Sequence, residues 1–159
     1  MPTGSRVRQT LETSRVVDLT STGRKTGNPH RMEIPIFNVG GRLFIVGDPR
    51  THDEQRTLRP RDWYANLTAD PRCTVHLKTT FRVDLRATHP YVIDVLDYEN
   101  LIEADAPATA KPVTDPAERQ RVLTDILRRL RGSDRPEELA DWAEHAPLVE
   151  IELDDVGPA

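Results

Sequence analysis

Gly40-Gly41 lies between two runs of residues that read as β-strands, and this pair constrains the fold more than any other feature of the chain. Met32–Val39 before it places apolar side chains at every second position, and Arg42–Gly47 after it has the composition of a return strand. Two glycines accept the positive φ angles of a two-residue β-turn. Because strands joined by so short a turn are antiparallel, the sequence predicts a meander here and excludes a sheet wound from βαβ units.

Other strands are predicted from short alternating or β-branched runs, which favour a pleated and half-buried backbone. Pro35, within Met32–Val39, has no backbone N–H and predicts an edge position or a bulge. The remaining predicted strands are Arg15–Leu19, Cys73–Leu77, Phe81–Leu85, Ala104–Thr114 and Leu148–Leu153.

The clearest predicted helix begins at Asp115. Asp115 is a good N-cap, Pro116 fits the first helical position, and Glu118 lies three residues beyond the cap. Because the strands cluster early and the main helices come late, the sequence predicts an α+β fold or a small barrel with helices packed outside. The other predicted helices are Ser5–Ser14, Pro60–Leu67 and Pro136–Glu144.

Length, charge and cysteine content narrow the class of protein. The 159 residues predict a single domain, residues 1–159, with residues 1–14 as a partly ordered N-terminal segment. A formal net charge of −4 argues against general binding to nucleic acids or anionic membranes. Cys73 is the only cysteine, and no apolar run is long enough for a signal peptide or a transmembrane helix. We therefore expect a cytoplasmic protein without a disulfide or a metal site.

The stretch Thr20–Arg31 combines turn chemistry with anion-binding chemistry. It contains two glycines, a proline, several hydroxyl side chains and three Arg or Lys cations. Glycines let backbone N–H groups approach a ligand, and Arg and Lys donate charge-assisted hydrogen bonds to phosphate or carboxylate oxygens. The alternative is a solvated loop with incidental charges. The residues favour a local anion site here.

Several short blocks occur in a characteristic order along most of the chain. They are Thr-Gly-Arg-Lys-Thr-Gly-x-x-x-Arg at Thr22–Arg31, Gly-Gly-Arg at Gly40–Arg42, Trp-Tyr-x-Asn-Leu at Trp63–Leu67, Asp70-Pro71, Pro107–Ala110, Val113–Arg119, and Trp142 before the last strand. Together they resemble the deazaflavin-dependent nitroreductase family of split β-barrel flavin and deazaflavin oxidoreductases.

The resemblance implies a fold, a coenzyme and an activity. The fold would be a split β-barrel of the FMN-binding, pyridoxamine-phosphate-oxidase-like type, with mostly antiparallel strands and helices packed outside. The coenzyme would be the deazaflavin F420, a two-electron hydride carrier with a phosphate and a polyglutamate tail. The activity would be hydride transfer from reduced F420 to a small electron-poor substrate of the enone, quinone or nitro type, with the chemistry residing mainly in the coenzyme.

The resemblance also implies a set of site residues. Three residues of the loop would hold the phosphate, with an arginine beside them, and residues after the third strand would add further contacts. A tryptophan would pack near the deazaflavin ring or support its pocket. The implied coenzyme-binding residues are Arg24, Lys25, Thr26, Arg31, Asp48, Pro49, Arg50 and Trp63.

Some points stay open at the level of sequence. Tyr64 and Tyr91 are candidates for a proton donor, among other tyrosines and histidines. FMN is the alternative coenzyme, and a non-catalytic carrier of a cofactor or ligand is the alternative function. Unpaired sheet edges would permit a homodimer. Lys78–Glu103 is interpreted as an insertion or a rebuilt hairpin relative to the family pattern.

Overall fold

The computed structural model describes residues 4–12, 15–47, 62–77, 103–132 and 135–154. Six antiparallel strands form a closed barrel in the order β1-β2-β3-β6-β5-β4. The predicted barrel with external helices is therefore confirmed. The strands are β1 (Arg15–Thr22), β2 (Pro29–Val39), β3 (Arg42–Val46), β4 (Arg72–Leu77), β5 (Ala104–Pro112) and β6 (Leu148–Leu153).

The Gly40-Gly41 turn has the predicted conformation and joins β2 to β3. The two φ angles are 61° and 87°, which a residue with a side chain rarely adopts. Val39 pairs with Arg42 directly across the turn. β2 pairs with β3 only over Phe37–Val39, so Pro35 lies in the part of β2 that pairs with β1 alone. This partial edge accommodates a residue without an N–H.

The first hairpin is longer than predicted. β1 continues to Thr22 and β2 begins at Pro29, and these two residues form the last pair of the ladder. Half of the stretch predicted as a loop, Thr20–Arg31, is therefore strand. The connecting turn is only Gly23–Asn28, because the hydroxyl-bearing residues before it fit a strand as well as a loop.

The barrel interior is filled by every second residue of each strand. β5 contributes alanines at alternate positions, and the other strands contribute larger aliphatic side chains. Cys73 also faces this interior, where burial raises the pKa of its thiol to about 12. Buried residues of the interior include Val17, Leu19, Ile34, Ile36, Leu43, Ile45, Val75, Leu77, Ala106, Ala108, Ala110, Val149 and Ile151.

Two short helices add side chains to the barrel interior. Helix α1 (Gly4–Thr10) and the turn after it contribute Val7 and Leu11, and the carbonyl oxygen of Leu11 accepts a hydrogen bond from the Asn38 side chain at the end of β2. Helix α2 (Asp62–Ala69) contributes Trp63 and Leu67 and contacts β1 and β5.

Two longer helices cover part of the outer barrel surface. Helix α3 (Pro116–Arg131) and helix α4 (Pro136–His145) pack on a second apolar cluster that includes Val16, Phe37 and Phe44. The N-cap of α3 is as predicted, because the Asp115 side chain accepts a hydrogen bond from the Glu118 N–H. The buried stripe of α3 is Val122, Leu123, Ile126 and Leu127.

Polar contacts join the helices to the barrel. Arg42 of β3 pairs with Glu118 of α3 and, at 2.6 Å, with Glu150 of β6. The hydrogen bond from Arg42 holds the pKa of Glu150 below its usual range. Arg119 donates hydrogen bonds to the carbonyl oxygens of Val113, Trp142, Ala143 and Ala146, and so joins the end of β5 to the last turn of α4.

Some sequence predictions lie outside the described residues. These are most of the polar loop after Gly47, the predicted strand Phe81–Leu85 and nearly all of Lys78–Glu103. Among the helices that the structure does describe, none has the length and apolar content needed to cross a membrane.

Candidate functional site

Backbone hydrogen bonds within the turn Gly23–Asn28 fix its conformation. The N–H of Gly23 donates to the Asn28 carbonyl at 2.7 Å, and the N–H of Gly27 donates to the Gly23 carbonyl at 2.8 Å. Gly27 has a φ angle of 75°. A Cβ at Gly23 would lie 2.6 Å from His30 Nε2 and 3.1 Å from the Asn28 carbonyl oxygen, so the His30 ring would have to move to admit a side chain there. Gly27 therefore serves the backbone conformation of the turn, and Gly23 allows the close approach of His30.

One buried amide of α2 fixes the turn to the barrel. Asn66 Oδ1 accepts hydrogen bonds from the backbone N–H of Arg24 at 3.1 Å and from its Nη1 at 2.9 Å. Asn66 is only 4% exposed. The Asn66 side chain therefore faces the turn and joins α2 to it. Arg24 is therefore partly committed to shaping the turn.

Lys25 and Thr26 are the part of the turn left for a ligand. Both residues are exposed, and in the described part of the chain neither backbone N–H has an acceptor and the Lys25 ammonium group makes no ion pair. The Thr26 hydroxyl accepts from the Asn28 N–H at 3.1 Å and keeps its own O–H free to donate. Two N–H groups, a hydroxyl and an ammonium group on one tight turn form a donor set suited to phosphate oxygens.

Arg31 lies on β2 and is held by β1. Its Nε donates to Asp18 Oδ2 at 3.0 Å, and more than half of its side chain remains exposed. Thr20 is its register partner on β1. Its guanidinium group is thus oriented on the outer face of the barrel, beside the hairpin that carries the turn.

Trp63 and Tyr64 lie on the helix that supports the turn. Trp63 is buried in the barrel interior, and its ring packs edge to face on Tyr64 with 5.9 Å between ring centroids. A Cβ at Gly47 would lie 3.3 Å from Trp63, so the end of β3 also meets this helix. Trp63 thus links α2 to the barrel interior and to the end of β3. Asp48, Pro49, Arg50 and Tyr91 lie outside the described residues.

The helical spacing around Asn66 indicates that its side chain is buried and bonded to another element. Trp63, Asn66 and Leu67 occupy one face of α2, since residues three and four apart are neighbours on a helix. A polar residue on an otherwise buried face must find a hydrogen-bond partner. Its partner, Arg24, is 42 residues away in the chain, and only barrel closure brings the two together.

Replacing Asn66 should loosen the turn without unfolding the barrel. We expect Asn66→Ala to lower the free energy of unfolding by about 1 to 2 kcal/mol, since two hydrogen bonds to a buried acceptor are lost. Hydrogen exchange of the Arg24 amide should become faster. Thr68→Ala, on the exposed face of the same helix, is the matched control. An unchanged exchange rate at Arg24 in Asn66→Ala would contradict this account of the turn.

The Cys73 thiol should be unreactive in the native protein. Burial is the main cause of its raised pKa, and the nearby carboxylates of Asp154 and Asp70 add to it. The thiol has a pKa of about 12 in the folded protein and an ordinary value of 9.0. The unfolded chain therefore ionises first, and the free energy of unfolding falls as the pH rises from 9 toward 12, with no such loss below pH 9. We expect a disulfide reagent to modify Cys73 at pH 8 only after denaturant unfolds the chain. Rapid modification without denaturant would show that the thiol is accessible.

Comparison with known proteins identifies the family. The family described as F420H(2)-dependent quinone reductase matches residues 1–90, which is more than half of the chain and includes the turn and α2. The chain belongs to the F420H(2)-dependent quinone reductase family. The family thereby confirms F420 as the coenzyme implied by the sequence, and the protein is an F420-dependent oxidoreductase. No curated protein sequence matches the chain.

Solved structures show the same fold at low sequence identity. A conserved hypothetical protein from Mycobacterium tuberculosis is 16% identical, with a TM-score of 0.63 over 97% of this chain and 82% of that one. An FAD-binding protein from Mesorhizobium loti is 12% identical, with a TM-score of 0.55 over 97% and 90%. A protein named F420 reductase is 16% identical, with a TM-score of 0.51 over 92% and 91%. The split-barrel fold is confirmed.

The described residues offer no alternative centre for a metal ion. Within these ranges, no three His, Cys, Asp or Glu side chains lie close enough together to hold one.

Proposed function

We propose that this family member binds the phosphate of F420 on the turn Gly23–Asn28 and uses the reduced coenzyme to reduce quinones. One observation carries the proposal. The turn is fixed by four hydrogen bonds to Asn28, Asn66, Gly23 and Thr26, while the ammonium group of Lys25 and the N–H groups of Lys25 and Thr26 are left without acceptors among the described residues. Fixed donors bind an anion without a further ordering cost.

The chain's own residues would then bind and orient the coenzyme. Lys25 supplies the charge, Thr26 supplies a hydroxyl and a backbone donor, and Arg24 holds the turn on Asn66. Arg31, already oriented by Asp18, lies along the same hairpin and adds a second cation to the phosphate or the acidic tail. When bound, reduced F420 supplies the hydride, and the protein positions the substrate and excludes water.

Further site residues are assigned from their positions in the chain and in the fold. Asp48, Pro49 and Arg50 follow the end of β3, which meets Trp63 at Gly47, and we assign them further coenzyme contacts. Trp63 supports the pocket from the barrel interior, since it is 6% exposed. Tyr64 and Tyr91 remain proton-donor candidates. We also propose a cytoplasmic location and a homodimer. Because each described strand of the closed barrel pairs on both sides, the dimer would not form across unpaired sheet edges as the sequence suggested.

Quinones are the first substrate class to test, because the family is named for them. Enones and nitro compounds are the next, because they too are electron-poor and can accept a hydride. The test is to mix the purified protein with reduced F420 and menadione and to follow the return of the oxidised-coenzyme absorbance. We expect protein-dependent oxidation, faster with the quinone than with a matched enone or nitroaromatic. A rate equal to that of the protein-free mixture would contradict the proposed function, and a protein purified with bound yellow flavin would favour FMN instead.

A further inference from the structure

A chain of polar side chains crosses the outer face of the barrel beside the turn. Thr20 Oγ1 lies 2.7 Å from His76 Nε2, and His76 Nδ1 lies 2.7 Å from Asp105 Oδ1. The three residues lie on β1, β4 and β5, which are adjacent strands. Thr20 and His76 are 56 residues apart in sequence, and His76 and Asp105 are 29 residues apart, so this arrangement exists only in the closed barrel.

The two contacts fix the orientation of the His76 ring. The Asp105 carboxylate accepts from Nδ1–H, which leaves Nε2 facing the Thr20 hydroxyl. The His76 side chain is 12% exposed, whereas that of Asp105 is 76% exposed. An imidazole held at Nδ1 by a carboxylate presents Nε2 in a fixed direction, and the direct path for a proton at Nε2 runs to the Thr20 hydroxyl.

Other charged residues lie on the strands next to His76. Asp18, the register partner of His76 on β1, accepts the hydrogen bond from Arg31. Thr74 is the register partner of Thr20 on β4, and Glu33 lies on β2 opposite Asp18. Asp105 is thus the carboxylate in direct contact with the His76 ring, and Asp18 is the next nearest along the ladder.

Hydrolases that transfer acyl groups use a Ser or Thr, a His and an Asp in a similar arrangement. Within the residues that the structure describes, the arrangement in this protein lacks the oxyanion donors that such a reaction requires. Thr20 lies inside β1 between two hydrogen-bonded neighbours, β2 and β4. In the described part of the barrel, the backbone N–H groups around it belong to the sheet and are not placed as oxyanion donors. The arrangement is therefore suited to moving a proton and not to nucleophilic attack.

Thr20 is close to the proposed coenzyme site. It lies two residues before the end of β1 at Thr22, where the turn begins, which is about 7 Å of strand. Its outward-facing side shares the hairpin surface with Arg31, its register partner. A ring attached by a flexible chain to a phosphate on the turn would be able to lie over this surface.

We propose that His76, oriented by Asp105 and acting through the Thr20 hydroxyl, supplies the proton that completes reduction of the substrate. This inference rests on the proposed function. The quinone accepts a hydride, with two electrons, and becomes a hydroquinone monoanion. The imidazolium gives its proton through Thr20 to the oxygen anion, and solvent returns a proton to the imidazole. The second hydrogen that the reduced coenzyme loses leaves as a proton to solvent, so atoms and electrons balance.

The variants for the test are His76→Gln, which keeps a polar side chain without a titrating proton, and Thr20→Val, which keeps the shape and removes the hydroxyl. Thr74→Val is the matched control, because Thr74 is the register partner of Thr20 on the same face. Asp105→Asn provides a third variant at an exposed position in case the first two unfold. Thermal melting checks that each variant is folded.

The expected kinetic result is a loss of about 100-fold or more in kcat for His76→Gln and Thr20→Val, the usual contribution of a general acid. The decline of kcat with rising pH in the wild-type protein should disappear in His76→Gln. F420 affinity should change less than about two-fold, since a proton donor adds little to ground-state binding. Thr74→Val should retain wild-type turnover.

A measurement on the protein without turnover provides an independent readout. In proton NMR spectra, the His76 ring signals should shift on saturation with oxidised F420, and those of His145 at the end of α4 should not. If F420 binds but the His76 signals stay unchanged and His76→Gln keeps its kcat and pH profile, this inference is wrong and the proposed function stands. If F420 does not bind at all, both are wrong.

Discussion

Replacing Arg119 with alanine is expected to destabilise the protein by about 3 kcal/mol, a decrease in melting temperature of about 6 to 12 °C for a chain of this size. Its guanidinium group donates to the carbonyl oxygens of Ala146 at 2.5 Å, Ala143 at 2.8 Å and Val113 at 2.9 Å, with Trp142 at 3.4 Å. Removing it leaves the carbonyl oxygens of Ala146, Ala143 and Val113 without this donor near a buried apolar cluster, whereas that of Trp142 keeps its hydrogen bond from the Ala146 N–H.

The environment of Arg119 explains the size of this effect. Burial lowers the pKa of its guanidinium group, which nevertheless remains charged at neutral pH. Its acceptors Trp142 and Ala143 lie in the last turn of α4, where a cation also interacts favourably with the helix dipole. A lysine has three donors on one nitrogen and does not reach several carbonyls in fixed directions. Arg119→Lys should therefore recover only part of the loss.

The measurement for Arg119 is denaturant unfolding followed by circular dichroism. Arg121→Ala is the control, because Arg121 is an exposed arginine of the same helix and makes no ion pair within the described ranges. It should change stability by less than about 0.5 kcal/mol. Equal stabilities of Arg119→Ala and Arg121→Ala would contradict the role of Arg119 in joining α4 to the barrel.

Lys25→Ala is expected to weaken F420 binding by about 10-fold to 100-fold. The loss of one charge-assisted contact to phosphate costs about 1.5 to 3 kcal/mol, which corresponds to that range of Kd. The stability of the protein should not change, since Lys25 is exposed and makes no ion pair in the described part of the chain. Fluorescence titration of the coenzyme measures the change.

Two controls make the Lys25 result specific. Lys111→Ala removes an exposed lysine of β5 and should leave the Kd unchanged. Arg24→Ala should weaken binding and also reduce stability, because Arg24 donates twice to the buried Asn66 oxygen. Binding should further weaken with added salt, since exposed charge pairs are screened. A Kd for Lys25→Ala within two-fold of the wild type would contradict the assignment.

Local sequence rules predicted the elements whose causes are local. The Gly40-Gly41 turn, the Asp115 N-cap and the strand Leu148–Leu153 all follow from a few adjacent residues, and the structure has them as predicted. The end of β1 was misplaced, because Thr20 to Thr22 suit a strand or a loop equally well. Only pairing with β2 and β4 decides that they are strand.

The parts of the site that sequence reasoning missed are long-range contacts. The bond of Asn66 to Arg24, the contacts of Arg119 with α4, and the chain from Thr20 through His76 to Asp105 each join elements far apart in sequence. They depend on barrel closure and on strand register, and a one-residue change of register would turn His76 into the interior. The anion chemistry of the turn was predictable because glycines, cations and hydroxyl groups lie together in one short stretch.

The central claim is that Lys25 and its turn recognise the phosphate of the coenzyme. It is tested most directly by titrating the wild type and Lys25→Ala with F420 and with the same deazaflavin lacking the phosphate and all groups beyond it. We predict that Lys25→Ala loses about 10-fold or more in affinity for F420 and less than about two-fold for the truncated deazaflavin. Equal losses for both ligands, or no loss for either, would contradict the claim.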